Sequence, residues 1–184
     1  MKNVNIVFIP KDKITNSQER EIKKLQKKCF GYVDEKEIKE HFFSEGFAMV
    51  LVYLDKKVVG ILELHKRDCE FEESKLLLSG AAGVCVADSV RKQGIGSKLI
   101  KKGLRVLRDN GCAIACMNVD LEVGMHGFYE KLGFKMMDRE ISFDDIHGKR
   151  INSKGAMFIL LNSKEIYDQI MSSRKTFHYG KGYW

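Results

Sequence analysis

The fold is decided by residues 84–97, which read Val84-Cys85-Val86-Ala87-Asp88-Ser89-Val90-Arg91-Lys92-Gln93-Gly94-Ile95-Gly96-Ser97. An apolar strand passes through a short turn into an amphipathic helix, and Gly94 and Gly96 fall where strand becomes helix. Glycines leave the backbone open to a ligand, and the first turn of a helix offers unpaired N–H donors at the positive end of its dipole. With the added charge of Arg91 and Lys92, these residues predict a pyrophosphate cradle.

The alternative for this stretch is a plain strand–helix turn that happens to contain glycines. The spacing matches neither a G-x-G-x-x-G dinucleotide fingerprint nor a Walker A sequence, so those two kinds of nucleotide site are excluded.

The elements on either side of this stretch predict the α/β (α+β) class. Their order, β-α-α-β-β-β-α-β-α-β-β, is typical of one mixed, mostly antiparallel sheet with helices on both faces. A capping box at Thr15 and Gln18 begins one helix, and Asp34 begins a second. We interpret residues 67–75 as a polar loop, and residues 76–87 as a buried strand that bends at its glycines.

Length and composition suit a single domain over residues 1–184, with 44% hydrophobic residues. No stretch is apolar for long enough to span a bilayer, and the N-terminus lacks the features of a signal peptide. We therefore expect a cytoplasmic protein without membrane contact. The net charge of +7 favours an anionic ligand. Because the lysines are spread along the chain without interleaved aromatic residues, a nucleic-acid partner is not expected.

The five cysteines predict neither a disulfide scaffold nor a zinc site, because their number is odd and no Cys-x-x-Cys pair occurs. Cys85, Cys112 and Cys116 lie in apolar runs, which is typical of buried, reduced thiols. We expect no bound metal.

A second motif follows the glycine turn, and residues 127–134 read Gly127-Phe128-Tyr129-Glu130-Lys131-Leu132-Gly133-Phe134. Together with Arg91-x-x-Gly94-x-Gly96 after Val84-x-Val86, it resembles the GNAT acetyltransferases, strongly over residues 76–137 and in element order throughout. The resemblance implies the GNAT fold with acetyl-CoA as co-substrate. In that family the backbone after the arginine binds the CoA pyrophosphate, and the preceding strand pairs with the pantetheine arm. The implied cofactor-binding residues are Val84, Cys85, Val86, Arg91, Lys92, Gln93, Gly94, Ile95, Gly96 and Ser97.

The chemistry implied by the resemblance is acetyl transfer to an amine, which needs a neutral amine, a polarised thioester and a proton for the departing thiolate. Tyr129 matches the family tyrosine that protonates the sulfur, and a phenol with a pKa of about 10 keeps its proton at neutral pH. A packing role is the alternative for Tyr129. Glu63 is our candidate for the base that removes the amine proton. The alternatives are ordered water and the side chains of His65, Glu72, Asp120 and Glu122.

Three residues are expected to bind the acceptor amine: Asp34, Asp120 and Trp184. Aminoglycoside 2'-N-acetyltransferases look similar, since they also end in a tryptophan near the substrate pocket and match at Val84-x-Val86 and Arg91. The chain departs from them at Ala82, where that group has an acidic residue, in its more regular glycine turn, and in its basic tail. We expect the Trp184 indole to cover the acceptor and its α-carboxylate to attract a cationic amine. Capping of an apolar patch is the alternative.

The resemblance leads to one preferred function and several alternatives. We expect transfer of an acetyl group from acetyl-CoA to a primary amine of a small molecule, by direct attack in a ternary complex, with an aminoglycoside-like amine as one form. A protein or peptide N-acetyltransferase is one alternative, in which the loops before Phe47 form an open groove. A non-catalytic acyl-CoA-binding module is another, and Tyr129 argues against it. The expected partner is a small-molecule amine, and a homodimer stays open.

Overall fold

Two β-sheets organise the chain, as seen in a computed structural model that describes residues 4–31 and 44–184. The strands are β1 (Val4–Pro10), β2 (Ala48–Leu54), β3 (Lys57–Phe71), β4 (Ser74–Val86), β5 (Ile114–Asn118), β6 (Lys135–Met136), β7 (Ile141–Asp144), β8 (Arg150–Ser153), β9 (Ala156–Leu160) and β10 (Phe177–Lys181). The α-helices are α1 (Asn16–Phe30), α2 (Ile95–Asp109), α3 (His126–Glu130) and α4 (Lys164–Ser172).

The main sheet has seven strands in the order β1-β2-β3-β4-β5-β9-β6, and β4 and β5 form its parallel pair. That pair is short, because residues 78–80 of β4 face residues 114–116 of β5 and pairing then stops. β4 continues to Val86 alongside β3, with a register shift near Gly83, whose φ is +59°. The two strands therefore part after Gly80 and leave a cleft between them.

Helices cover both faces of this sheet. Successive residues of a strand point to opposite faces, and the side chains on both faces are buried. Val50 and Leu62 are fully buried on the face that α2 covers. Leu51 and Ile61 are fully buried on the opposite face, where α1 packs. Each such side chain contributes about 1.5–3 kcal/mol through its removal from water. The predicted fold class, with a mostly antiparallel sheet between helices, is confirmed.

A second sheet, which the sequence did not predict, contains three strands in the order β10-β7-β8. β10 runs parallel to β7, with Phe177 opposite Ile141. Phe177 and Tyr179 are fully buried and meet Phe158 of the main sheet edge to face. The stretch Phe177–Lys181 therefore forms a strand that docks onto the main sheet.

The predicted start of α1 is confirmed. The Thr15 side chain accepts a hydrogen bond from the Gln18 backbone N–H, and the Gln18 side chain accepts one from the Thr15 N–H. This capping box pairs two donors that the helix itself leaves unpaired. The second predicted helix, which begins at Asp34, lies outside the described residues.

The predicted loop over residues 67–75 is wrong. β3 and β4 continue through it as a hairpin whose turn is at residues 72–73. Asp68 and Glu70 are exposed there, whereas Phe71 is buried, so the charged residues form the outer face of a strand.

The expectation of reduced thiols is wrong for Cys85. Its sulfur is bonded to that of Cys29, across 56 residues of sequence, with the Cα atoms 6.0 Å apart. Cys29 lies in the last turn of α1 and Cys85 in β4, so the disulfide fastens α1 to the strand that borders the cleft. Cys112 and Cys116 are buried free thiols, as expected.

None of the helices within residues 4–31 and 44–184 combines the length and the apolarity that are needed to cross a bilayer.

Candidate functional site

The amino end of α2 is open and carries no side-chain cap. Gly94 is its N-cap, in a left-handed conformation (φ +76°, ψ 4°) that a side chain would strain. No acidic residue stands in the first turn and no side chain caps it, so the first N–H groups lack partners within the helix. A Cβ atom at Gly94 would meet no heavy atom within 4 Å. The backbone N–H groups of residues 95–97 can therefore bind a phosphate group, assisted by the helix dipole.

Arg91 braces the turn that leads into this terminus. Its Nε donates a hydrogen bond to the backbone oxygen of Val86 (3.0 Å), and its Nη1 lies 2.8 Å from Asp88 Oδ1. Gln93 also supports the turn, because its Nε2 donates to the Ser89 backbone oxygen (3.4 Å). Since Asp88 offsets part of the Arg91 charge, the helix terminus carries most of the attraction for an anion.

The free edge of β4 leads from the amino end of α2 into the cleft. After Gly80 this edge has left β5, so its backbone N–H and C=O groups face the opening. Val84 and Val86 are half-buried along it, and Cys85 points to the α1 side and is 2% exposed. An extended ligand that carries amides can pair with such an edge as an added strand does.

Tyr129 stands on α3, close to the amino end of α2. A Cβ atom at Gly96 would lie 3.4 Å from the ring of Phe128, the residue before Tyr129. The Tyr129 ring makes edge-to-face contacts with Phe128 and with Phe134, whose backbone N–H donates to the Tyr129 carbonyl (3.2 Å). Burial raises the pKa of Tyr129 above its ordinary value, so the phenol is protonated and can donate at neutral pH.

Glu63 lies on β3 opposite Ala82, at the bend of β4. Its Oε1 accepts hydrogen bonds from the Gly46 N–H (3.2 Å) and from Lys11 Nζ (3.3 Å), and its side chain is 26% exposed. The second oxygen, Oε2, lies 3.8 Å from Nε2 of His65. The carboxylate is therefore fixed by two donors and keeps one oxygen available to an incoming amine.

Two of the three residues expected to bind the acceptor, Asp120 and Trp184, belong to the described part of the chain. Asp120 is exposed, and its Oδ1 accepts from the Glu122 backbone N–H (2.8 Å) in the turn after β5. Trp184 is 5% exposed and lies against Gly80, the last residue of β4 that pairs with β5. Asp34 is outside the described residues. Trp184 is connected to Glu63 through His65, whose ring stacks on the indole.

Two further residues at this site were missed by sequence reasoning. Asn118 ends β5 at the cleft, and its Nδ2 donates to the backbone oxygen of Trp184 (3.3 Å). Its Oδ1 and the Trp184 Nε1 are buried polar atoms without a hydrogen-bond partner among the described residues. Arg67 on β3 lies over the Trp184 ring, with its guanidinium carbon 4.2 Å from the ring centre. No local sequence pattern indicates a role for either residue. Each of them contacts residues 177–184, which are distant in the sequence and close only in the folded chain.

No group of three or more His, Cys, Asp or Glu side chains in the described part of the chain is arranged to hold a metal ion.

The sequence matches one protein-family model, described as an acetyltransferase (GNAT) domain, over residues 12–137. Comparison with curated proteins gives no matching sequence.

Several solved structures share the fold. The GNAT-family N-acetyltransferase YhbS from Escherichia coli, in complex with CoA, is 16% identical with a TM-score of 0.63, and the match covers 98% of this chain and 91% of that one. The ribosomal-protein-S18-alanine N-acetyltransferase from Escherichia coli is 13% identical with a TM-score of 0.58, over 86% of this chain and 95% of that one. At these identities the likeness shows the fold alone.

A larger neighbour is the GCN5-related N-acetyltransferase from Kribbella flavida, which is 20% identical with a TM-score of 0.57. The match covers 73% of this chain and 33% of that protein, so the chain aligns with about a third of its length.

Proposed function

The chain belongs to the GNAT acetyltransferase family, and we propose that it transfers the acetyl group of acetyl-CoA to a primary amine of a small molecule by direct attack in a ternary complex. One observation carries the proposal: β4 leaves β5 after Gly80, and its free edge leads to the uncapped amino end of α2. This combination offers a phosphate site and an amide-pairing edge on one continuous path.

The residues present fit acetyl-CoA. The N–H groups of residues 95–97 would hold the pyrophosphate, and the open space beside Gly94 leaves room for it. Val84 and Val86 would pair through their backbone with the pantetheine amides. Lys92, with φ +60°, adds a positive charge at the turn. Acetyl-CoA supplies the activated acyl group, and the chemistry around it falls to the chain's own side chains.

In the proposed reaction a bond forms between the amine nitrogen and the acyl carbon, and the bond from that carbon to sulfur breaks. Glu63 takes a proton from the attacking nitrogen, directly or through water. The backbone N–H groups of β4 near Gly83 stabilise the negative charge on the acyl oxygen. Tyr129 donates its phenolic proton to the departing sulfur. Its raised pKa supports this role, because the proton is present throughout the neutral range.

An aminoglycoside-like amine is the more specific form of this proposal. The placement of Trp184 beside the cleft supports it, as do the carboxylates of Glu63 and Asp120, which favour a cationic acceptor.

A protein or peptide acceptor is the second candidate, and a surface feature favours it. Leu121, Val123 and Met125 are 50%, 66% and 46% exposed in the turn that follows β5 at the cleft. Exposed apolar side chains grouped near a site are typical of a surface that binds another chain.

The test is thiol release from acetyl-CoA in the presence of a panel of amines. The panel contains kanamycin, spermidine, glucosamine and a tripeptide with a free N-terminal alanine. The proposal expects amine-dependent release with at least one of the first three compounds. Release with the tripeptide alone would favour the second candidate, and acetyl-CoA binding without release for any amine would indicate a non-catalytic module.

A further inference from the structure

Arg67 holds several parts of the segment 177–184 at once. Its Nη1 donates hydrogen bonds to the backbone oxygens of Tyr179 (2.9 Å), Lys181 (2.6 Å) and Gly182 (3.3 Å). The same guanidinium lies over the ring of Trp184. A planar guanidinium can stack on an aromatic face while it donates within its own plane, which an ammonium cannot do.

The far end of this segment reaches elements on both sides of the cleft. Ser44, which precedes β2, donates its backbone N–H to the Tyr183 oxygen (2.9 Å), and Asn118 of β5 donates to the Trp184 oxygen (3.3 Å). The indole occupies the space that a side chain would need at Gly80. Because Gly80 is the last residue of β4 to pair with β5, the indole lies where the two strands part.

The segment borders the cleft on the face opposite α2. Trp184 packs in the cluster that contains Leu78 and Cys116, whereas α2 packs in the cluster that contains Ala81 and Met117. Alternate residues of a strand point to opposite faces, so these clusters lie on the two sides of the sheet. A cofactor bound at the amino end of α2 lies on the side of the sheet that α2 covers, which leaves the side of Trp184 for the amine.

We infer that Arg67 is a positioning residue for the acceptor, because it holds the segment 177–184, and Trp184 with it, as the wall of the cleft on the face opposite α2. The inference rests on the proposed function, since it concerns the amine of that reaction. Arg67 acts through the segment and touches neither the phosphate site nor the free edge of β4. Substitution of Arg67 should therefore raise the KM for the amine while the Kd of acetyl-CoA stays unchanged.

The experiment uses the full chain and two independent ways of displacing the wall. Arg67→Met keeps an unbranched stem but removes the donors, and Arg67→Lys keeps the charge without the planar fork. Gly80→Ala leaves Arg67 in place and pushes the indole out of its space. Arg20→Met is the matched control, because Arg20 is an exposed arginine on α1 and lies outside the cleft residues.

Four quantities are measured for each variant. They are the fluorescence of Trp184, which is the one tryptophan of the chain, the Kd of acetyl-CoA, and the KM and the kcat for the panel amine that wild type uses fastest. In Arg67→Met and Gly80→Ala we expect a red-shifted emission, stronger acrylamide quenching, and a KM for the amine raised by about tenfold or more. The acetyl-CoA Kd should stay within about twofold of wild type. Arg67→Lys should give values between those of wild type and Arg67→Met, and Arg20→Met should match wild type.

Each contrary result is decisive. Unchanged Trp184 fluorescence in Arg67→Met would show that Arg67 does not hold the segment. Exposed Trp184 with an unchanged KM would show that the segment is not the wall. A parallel loss of acetyl-CoA affinity would reduce Arg67 to a general structural role. If wild type acetylates no amine at all, the proposed function fails, and the fluorescence alone still decides whether Arg67 holds Trp184.

Discussion

The imidazole of His65 stacks on the indole of Trp184, with the ring centroids 5.4 Å apart and 18° between the ring planes. His65 is 3% exposed, and Ser44 Oγ lies 3.4 Å from its Nδ1. Burial, together with the positive charges of Arg67 and Lys11, lowers the pKa of His65 to about 3. The ring is therefore neutral at physiological pH.

This pKa predicts that stability falls as the pH is lowered below 6.5. Between pH 6.5 and about 3 the unfolded chain binds a proton at His65 that the folded chain does not, so acid favours unfolding. Between about pH 7 and pH 5 the free energy of unfolding should fall by about 2 kcal/mol from this residue. Urea unfolding at the two pH values measures it.

His65→Phe is the matched variant for this measurement, because it keeps an aromatic ring against Trp184 and cannot bind a proton. The pH-dependent loss should shrink in the variant. Some dependence will remain, since burial also lowers the pKa of His178. An equal loss in wild type and variant would show that His65 is not the buried neutral group.

Gly94→Glu should abolish acetyl-CoA binding, because it places an anion in the open space before the amino end of α2. Calorimetry measures the affinity. Gly111→Glu is the control: Gly111 follows the other end of α2, has φ +78° and is equally open, so the backbone strain is similar. Unchanged affinity in Gly94→Glu, or equal loss in both variants, would contradict the phosphate site.

Tyr129→Phe should lower kcat by about 10²–10⁴-fold where protonation of the sulfur limits turnover, because the ring stays and the proton donor is lost. Steady-state kinetics with the best panel amine measures this effect, and the acetyl-CoA Kd should change little. Tyr53→Phe removes a hydroxyl that accepts from Gln18 Nε2 (2.9 Å) and serves as the control. Wild-type kcat in Tyr129→Phe would leave Tyr129 with a packing role alone.

Reduction of the disulfide should destabilise the fold. The Cys29–Cys85 bond closes a loop across 56 residues. Because a closed loop of that size restricts the unfolded chain, the bond stabilises the folded state by about 4 kcal/mol. Thermal unfolding with and without reductant should show a lower Tm for the reduced protein. Cys29→Ser should have the lower Tm in both conditions. Cys69→Ser, which removes a free thiol, should keep the response to reductant.

The sequence predicts most of the main sheet, because local signals coincide with the packing there. Thr15 and Gln18 begin α1 through a contact three residues apart, and the glycines near β4 mark a real bend. The hairpin at residues 72–73 was missed because its charges resemble a loop. The alternation of exposed Glu70 with buried Phe71 is the signal that identifies it as strand.

The candidate site could be proposed from the sequence where it depends on local geometry, whereas its contacts between distant residues could not be predicted. Gly94 and Gly96 lie within one turn, so an anion site could be predicted there without knowledge of the rest of the fold, and it stays a prediction. Cys29 and Cys85 meet only after α1 has packed on β4, and no periodicity links positions 56 residues apart. Arg67 likewise acquires its role from residues more than a hundred positions away.

In the proposed reaction the acetyl group moves from acetyl-CoA to a small-molecule amine that is bound to this protein. Acetyl-CoA labelled in the acetyl group is mixed with enzyme and the best panel amine, and mass spectrometry follows the label while free thiol is counted. We predict one labelled amide for each thiol released, with neither product formed by Gly94→Glu. Thiol release with the label recovered as free acetate, or no release with any amine, would contradict it.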